Sequence, residues 1–396
     1  MVIGIIPKNR NLSKYFREGG YGLSEEEIWG DLKAEAIAGI KAMIEISMEG
    51  EIQELIGRRW EHKPDRITSR NGHYIRGLLT SFGYIGDLKV PRLRRSKKGY
   101  KVIKRYQRRM EEVDKMILEM FLAGVSTRRV KEVLEPVLGR EVVSSGLVSK
   151  ISKALDKEVE GYHSRKIEDK YEYLIADGIF LNAKSPVYKK RRCVLVVYGM
   201  WREGVKVRRE IIDFELACKG ESENAWEKFL YKLYYRGLEG KRLKMVTIDG
   251  NKGLRNGIEL IYPHVKIQRC WAHKLRNMSK KLSRKINKGC IEELKEVYEA
   301  GDYNKAVIVY RRWANFWRGI EPEVVKSMEE DIEELLNFYR CEEDIRKKVR
   351  TTNIIERVFR EVRRRTRPMS CFQNRESVER IVFAVFYRLN NIYKNR

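Results

Sequence analysis

Histidine is scarce in this chain, and His62, His73, His163 and His264 show no ligand spacing, which argues against a histidine metal centre. The six cysteines, at 193, 218, 270, 290, 341 and 371, have no repeated pair spacing, so reduced thiols are expected rather than a disulfide framework. Cys270-Trp271-Ala272-His273 looks like half of a zinc site, but no second CxxC or HxxxH pair completes four ligands. No apolar run is long enough to span a bilayer, and Met1-Val2-Ile3-Gly4 lacks the basic region and apolar run of a secretory signal. The expectation is a cytoplasmic protein with no membrane partner. Internal repeats and low-complexity linkers are also absent, so 396 residues should fill two or three domains.

Positive charge is abundant. The chain has 83 Lys plus Arg against 56 Asp plus Glu, a formal net charge of +27, which favours a polyanionic partner. Between Lys89 and Arg109, eleven of 21 residues are basic and none is acidic, with Tyr100 and Tyr106 interleaved. This run, carrying Arg92, Arg94, Arg95, Arg108 and Arg109, reads as a phosphate-contacting surface. A solvated lysine-rich loop is the ordinary alternative, but it leaves the excess over the whole chain unexplained.

The periodicities divide the chain. Ile28, Leu32, Ala36, Ile37, Ile40 and Met43 follow helical spacing within a segment from about Glu25 to Arg58, and Gly83 and Gly86 punctuate a β-hairpin expected between Tyr74 and Val90. Three further helices are predicted over Met110–Leu122, Arg128–Leu138 and from Ser144 or Ser145 to Val159, each opened by a Ser or Thr able to cap it. They match a helix-turn-helix with Arg128 and Arg129 on its middle helix and Lys150 as a groove contact on its last, although an ordinary helical linker has nearly the same signature.

β-branched and aromatic residues then predict three strands, Tyr171–Ala176, Arg191–Met200 and Val205–Ala217. A helix Glu223–Tyr235, a strand Leu243–Ile248, a helix near Leu254–Ile261 and a strand Val265–Arg269 follow. Three meandering strands followed by crossover units build one mixed α/β sheet with helices on its faces, the layout of ribonuclease H-like nucleases. Residues 280–347 read as helical throughout, and further helices begin near Asn353 and Glu376.

Three acidic residues attract attention against that frame. Asp177 follows the apolar run Tyr173-Leu174-Ile175-Ala176, where a charge is costly unless it serves a site. Locally, though, Asp177-Gly178 is favoured as a plain hairpin turn. Asp249 ends the strand Met245–Ile248, where α/β sheets place ligands, and helix capping competes equally. Glu356 flanks the buried stripe Ile355, Val358, Phe359 and Val362 and can reach a cleft edge, or it can fold back onto Asn353 in a capping box. Two-metal phosphodiester chemistry needs such converging carboxylates, and a ribonuclease H-like sheet sets its first and fourth strands side by side. Lys252, His273 and the run Arg363, Arg364 and Arg365 are the basic groups nearest to these acids and are read as DNA contacts.

Several motifs together carry a resemblance. They are Arg70-Asn71-Gly72-His73-Tyr74, Val90-Pro91-Arg92-Leu93-Arg94, Gly124-Val125-Ser126-Thr127-Arg128, Asp177-Gly178, Ile248-Asp249-Gly250, Gln268-Arg269-Cys270 with His273, and Thr352-Asn353-Ile354-Ile355-Glu356-Arg357 leading into Arg363-Arg364-Arg365. Over nearly its whole length the chain resembles the IS256 transposases of the Mutator-like superfamily, except that Phe359 stands where that family often has Asn. The resemblance implies a DDE triad on Asp177, Asp249 and Glu356, holding Mg²⁺ or Mn²⁺, two ions in all. It also implies a helical insertion between the last two acids and a Cys-x-x-His signature on Cys270 and His273.

The implied domains are a helical DNA-binding region over 1–165, a ribonuclease H-like catalytic domain over 166–275 and 348–396, and an insertion over 276–347. The implied partners are double-stranded DNA, as terminal inverted repeats and target, and a second copy in a homodimer working at the nucleoid. The implied reaction is hydrolysis at the element's end, freeing a 3′-hydroxyl that attacks target DNA. A non-catalytic DNA-binding remnant, a structure-selective nuclease and an RNA binder are the rivals.

Overall fold

The computed structural model describes residues 25–395 apart from 62, 67, 95–99, 140–142, 185–188, 218–219, 283, 368–371 and 373, so Arg95, His62, Cys218 and Cys371 lie outside the described residues. The described residues fall into two compact units, one within Met1–Phe121 and Val125–Ser152, the other within Leu122–Gly124 and Lys153–Arg396. No described helix is long and apolar enough to cross a membrane. The four described cysteines, Cys193, Cys270, Cys290 and Cys341, are all buried and free.

In the first unit, helix α1 (Glu25–Ile56) lays Ile44 and Met48 on a hairpin of β1 (Arg70–Thr80) and β2 (Gly83–Leu93), against Leu78, Ile85, Leu88 and Val90. Burial of those apolar side chains holds the hairpin, which two strands alone cannot do in water. Helices α2 (Glu111–Leu122), α3 (Thr127–Leu138) and α4 (Ser145–Ser152) share a second core of Val113, Ile117, Val130, Leu134, Val148 and Ile151. The Ser126 hydroxyl accepts the Arg129 N–H at 3.2 Å and Ser144 accepts that of Leu147 at 3.1 Å, so both predicted caps form.

The helix expected to continue to Val159 is interrupted, because α4 stops at Ser152 and α5 (Leu155–Ser164) begins afresh. Val148, Ile151, Leu155 and Val159 make one stripe in the sequence. Its first half is buried in the core of the first unit and its second half in the second unit.

The second unit is built on five strands in the order β5-β4-β3-β6-β7. These are β3 (Tyr173–Lys184), β4 (Lys189–Glu203), β5 (Lys206–Ala217), β6 (Met245–Ile248) and β7 (Lys266–Arg269). β3, β4 and β5 meander antiparallel, while β6 lies parallel to β3 and β7 parallel to β6. The predicted adjacency of the first and fourth strands of this sheet is therefore present. β3 also runs well past the predicted end at Ala176, keeping unbroken register with β4 from Tyr173↔Met200 to Lys184↔Lys189.

One face of the sheet is covered by α6 (Glu223–Tyr235) and α7 (Lys252–Ile261), whose Trp226, Phe229, Leu230, Leu254 and Ile258 pack on Leu174, Ala176, Leu195, Val197 and Val246. Because side chains alternate along a strand, Tyr173, Ile175 and Asp177 face the other way. On that side β3 meets α14 (Asn353–Thr366), and β5 meets α15 (Arg375–Lys394).

Between β7 and α14 the chain is helical: α8 (Trp271–Ser279), α9 (Arg284–Glu299), α10 (Tyr303–Trp317), α11 (Pro322–Glu329), α12 (Ile332–Leu336), a 3₁₀ turn (Asn337–Arg340) and α13 (Glu343–Val349). Gln268 ties the far end of this region to the sheet. Fully buried in β7, it accepts the Phe338 N–H at 2.7 Å and donates to the Leu335 and Arg269 carbonyls at 3.0 and 2.7 Å. Gln268→Leu leaves the Phe338 N–H buried without a partner, and an orphaned donor of this kind costs about 1–3 kcal/mol. Urea unfolding is expected to show that loss with little change in the denaturant slope; a variant as stable as the parent would remove Gln268 from the role.

Candidate active site

Asp177 lies inside β3, opposite Val196 of β4, and is 7% exposed. It is therefore not the hairpin turn that Asp-Gly favours locally, since the strand continues seven residues beyond it, to Lys184. The β3–β6 ladder pairs Tyr173 with Met245, Leu174 with Val246 and Ile175 with Thr247, so the next carboxylate on the same face of β3 comes level with the residue just past the end of β6, Asp249.

Burial and the neighbouring charge of Asp249 push the Asp177 carboxyl up to about 7, against the opposing effects of His273 and of a 2.8 Å hydrogen bond from the Gly178 N–H. Asp249 does not cap α7. Asn251 does, accepting the Leu254 N–H at 3.1 Å, while Asp249 accepts the Asn251 N–H at 2.9 Å and so is held at the strand end by the turn itself.

Glu356 stands one turn into α14, whose N-cap is Thr352, so neither Asn353 nor a capping box starts this helix. Its carboxylate instead faces His273 Nε2 at 3.5 Å and Arg276 at 3.6 Å, both on α8. A polar corner sets that arrangement. Fully buried Thr352 meets His273 Nδ1 at 3.2 Å through its hydroxyl and gives its N–H to Cys270 Sγ, also at 3.2 Å. Trp271 donates its N–H to the Arg350 carbonyl at 3.1 Å, and Thr247 of β6 donates its hydroxyl to the Val349 carbonyl at 2.6 Å. The start of α14 is thereby joined to the ends of β6 and β7.

His273 has a raised pKa, from its hydrogen bond to Cys270 and from the charges of Cys270, Asp177 and Asp249, against burial. Burial acts to raise the Cys270 thiol, but hydrogen bonds from His273 and Thr352 outweigh it and the net shift is downward.

A fourth acid, not singled out by the sequence, joins the group. Glu221 precedes α6 and accepts from the Asn251 side-chain amide at 3.1 Å. A Cβ on Gly178 would lie 1.6 Å from its Oε1. Its pKa is raised, by burial and then by Asp249. No spacing rule marks Glu221, because only the crossover from β5 to α6 brings it here. Thr352 and Asn251 were visible only as neighbours of the acidic residues. Among the described residues, no three His, Cys, Asp or Glu side chains as they stand are grouped to hold one metal ion.

The basic residues separate into several groups. Arg363 and Arg364 are exposed on α14, with Arg364 paired to Glu361 at 3.0 Å, whereas Arg365 is buried and donates to the Gly124 carbonyl. Burial lowers the Arg365 pKa to about 10. Phe359 is buried on the inner side of the same helix. Lys252 opens α7, exposed. In the first unit Arg92, Arg94, Arg108, Arg128, Arg129 and Lys150 are exposed, Arg92 stacks over Tyr74 at 4.7 Å, and Arg109 pairs with Asp114 at 2.7 Å.

These strands and side chains define an α/β protein with a buried acidic site and a large basic excess. The sequence model of the Mutator family of transposases matches residues 30–395, and the chain belongs to that family, one of enzymes that act on DNA. It is 33% identical over 347 residues to the transposase for insertion sequence element ISRM5 of Rhizobium meliloti (strain 1021), covering 87% of this chain and 85% of that one. It is 32% identical over 356 residues to the transposase for IS256 in transposon Tn4001 of Staphylococcus aureus, covering 88% and 89%. The transposase for IS905 of Lactococcus lactis is 30% identical over 322 residues, covering 81% and 80%.

The raised Asp177 pKa gives a signed stability prediction for metal-free protein. The folded state binds this proton more tightly than the unfolded chain, whose value is ~3.9. The associated stability is thus fully present below about pH 4 and is lost as pH rises through about 7. In EDTA, Asp177→Asn should be more stable than the parent at pH 8 by on the order of 2–4 kcal/mol, with the gap closing toward pH 4. Parallel melting curves at both pH values would contradict the burial argument.

Proposed function

We propose that this chain is the transposase of an insertion sequence, with a ribonuclease H-like catalytic domain that cuts at the terminal inverted repeats and joins the freed 3′ end to target DNA. The observation that carries the reading is the level placement of Asp177 and Asp249 by the parallel β3–β6 pair, with Glu356 on the helix packed across β3. The strand order, with an antiparallel meander followed by parallel crossovers, supports the fold assignment. The names of the relatives, each the transposase of an insertion sequence element, support the substrate.

The donor set suits a hard divalent cation such as Mg²⁺ or Mn²⁺. It consists of carboxylate oxygens, and burial and repulsion load negative charge onto Asp177. Asp177, Asp249 and Glu356 would hold two ions, which when bound supply Lewis acidity to the attacking and leaving oxygens of a phosphodiester. His273 and Arg276 hold Glu356 to one side in the metal-free arrangement, and Thr352 fixes the imidazole. Exposed Arg363 and Arg364 would take DNA phosphates beside the site. Arg92, Arg94, Arg108, Arg128, Arg129 and Lys150 would bind the repeats, and two ends would be brought together by a homodimer.

The test is incubation of the protein with labelled duplexes of the element's end and a supercoiled plasmid, with Mg²⁺ or Mn²⁺. Asp177→Asn, Asp249→Asn and Glu356→Gln are run alongside. Metal-dependent end cleavage and joining should fall at least 10²-fold in each variant, the scale of one lost transition-state-stabilising group, while retained DNA binding is read by gel shift. Cleavage without joining indicates a structure-selective nuclease, and binding without cleavage under either metal indicates a DNA-binding remnant. A variant with parental activity removes its residue from the triad.

A further inference from the structure

We propose that Glu221 is a fourth metal-holding carboxylate of this site, reaching the Asp177–Asp249 pair from the α6 side of the sheet as Glu356 reaches it from the α14 side. The inference rests on the metal-dependent reading above and adds a residue to it.

The argument begins at Gly178. In an uninterrupted strand Asp177 and Gly178 face opposite sides. Asp177 faces α14 with Ile175, and the missing side chain of Gly178 faces the side of α6 and α7. The space a Cβ would fill there is taken by the Glu221 carboxylate, 1.6 Å from Oε1 and 2.5 Å from the carboxyl carbon. Gly178 has no positive φ, so this position requires glycine for room and not for backbone conformation.

Glu221 is also held in orientation. The Asn251 amide donates to its Oε2 at 3.1 Å, and Asn251 is the residue whose N–H binds Asp249. One turn therefore presents both acids. Glu221 and Asp249 raise each other's electrostatic cost with no Lys or Arg paired to Glu221 among the described residues, and the opposing charge near both is His273. The arrangement is a set of hard oxygen donors on two sides of a strand end, each outer glutamate held by a neutral amide or by α8 until a cation is present. Two ions then have four carboxylates rather than three.

The experiment is titration of the full chain with Mn²⁺, followed by calorimetry and by the paramagnetic resonance signal of free Mn²⁺, with no DNA present. The parent should take up two ions. Glu221→Gln should lose one of them or bind it at least about tenfold more weakly. Gln retains the Asn251 contact, and an unchanged melting temperature in EDTA establishes that the variant folds. Gly178→Ala, which forces the Glu221 carboxylate out of place with Asp177 intact, should weaken the same ion.

Two Mn²⁺ bound with parental affinity in Glu221→Gln overturns the inference. Asp249→Asn separates the two levels. If it abolishes uptake while Glu221→Gln does not, only the role of Glu221 fails. If the parent takes up no Mn²⁺, or Asp249→Asn keeps full uptake, the metal reading of the site fails with it.

Discussion

Two strands that lie about seventy residues apart in the chain run parallel for three residue pairs, and the chemistry of the second unit depends on that short ladder. A parallel pair cannot be closed by a turn. The intervening β4, β5 and α6 are the crossover that makes it possible, and they also deliver Glu221 to the strand ends. Register does the rest. With Ile175 opposite Thr247, the residues two further along on the same face are both aspartates, and a shift of one residue would send one of them to the other side of the sheet. The apolar flanks of β3 and β4, nearly all fully buried, hold the register by packing and leave the carboxylates no freedom to move apart.

That arrangement carries an electrostatic cost, visible in the raised pKa of Asp177 and of Glu221. The fold offsets part of it without placing a lysine or arginine against the aspartates. His273 is raised toward its charged form and lies near Asp177 and Asp249, while its other ring nitrogen is fixed by Thr352. Because Thr352 caps α14 with its backbone and spends its side chain and N–H on His273 and Cys270, the helix bearing Glu356 is indexed to the imidazole. The Cys-x-x-His spacing is thus a joint between two helices. Cys270 at the N-cap of α8 and His273 one turn in meet the same threonine, and no zinc is needed to explain the pair.

Much of this was legible in the sequence, because buried strands and amphipathic helices announce themselves by period. The α6 helix falls where the pattern put it, and all five strands of the sheet are present. The misreadings share one cause, the use of local chemistry to settle a position governed by distant packing. Asp177-Gly178 is a strong turn signal only if nothing occupies the space over the glycine, and Glu221 occupies it. Asp249 and Asn251 are both good caps, and the choice of Asn251 leaves Asp249 free to serve the strand end. Likewise Glu356 has the spacing of a capping box, but the pull of His273 and Arg276 turns it outward. The break between α4 and α5 escaped notice because a stripe that serves two cores looks the same in sequence as one that serves a single core.

The charge pattern at two scales bears on the proposed reaction. The chain as a whole is strongly basic, yet its candidate site is a concentration of acids, so the groups that attract DNA are not the groups that would act on it. A phosphodiester brought against Asp177 and Asp249 meets like charge in a place where screening by solvent is weak. Arg363 and Arg364 on the outer face of α14 can hold neighbouring phosphates but lie on the solvent side, and Arg365 is committed to the interior. Neutralisation therefore has to come from something small enough to sit between carboxylate and phosphate. A divalent ion meets that requirement, and an arginine side chain, whose fork needs the carboxylate for itself, does not. On this argument the number of carboxylates matters more than their exact spacing, since each added acid deepens the demand for a cation before DNA can approach.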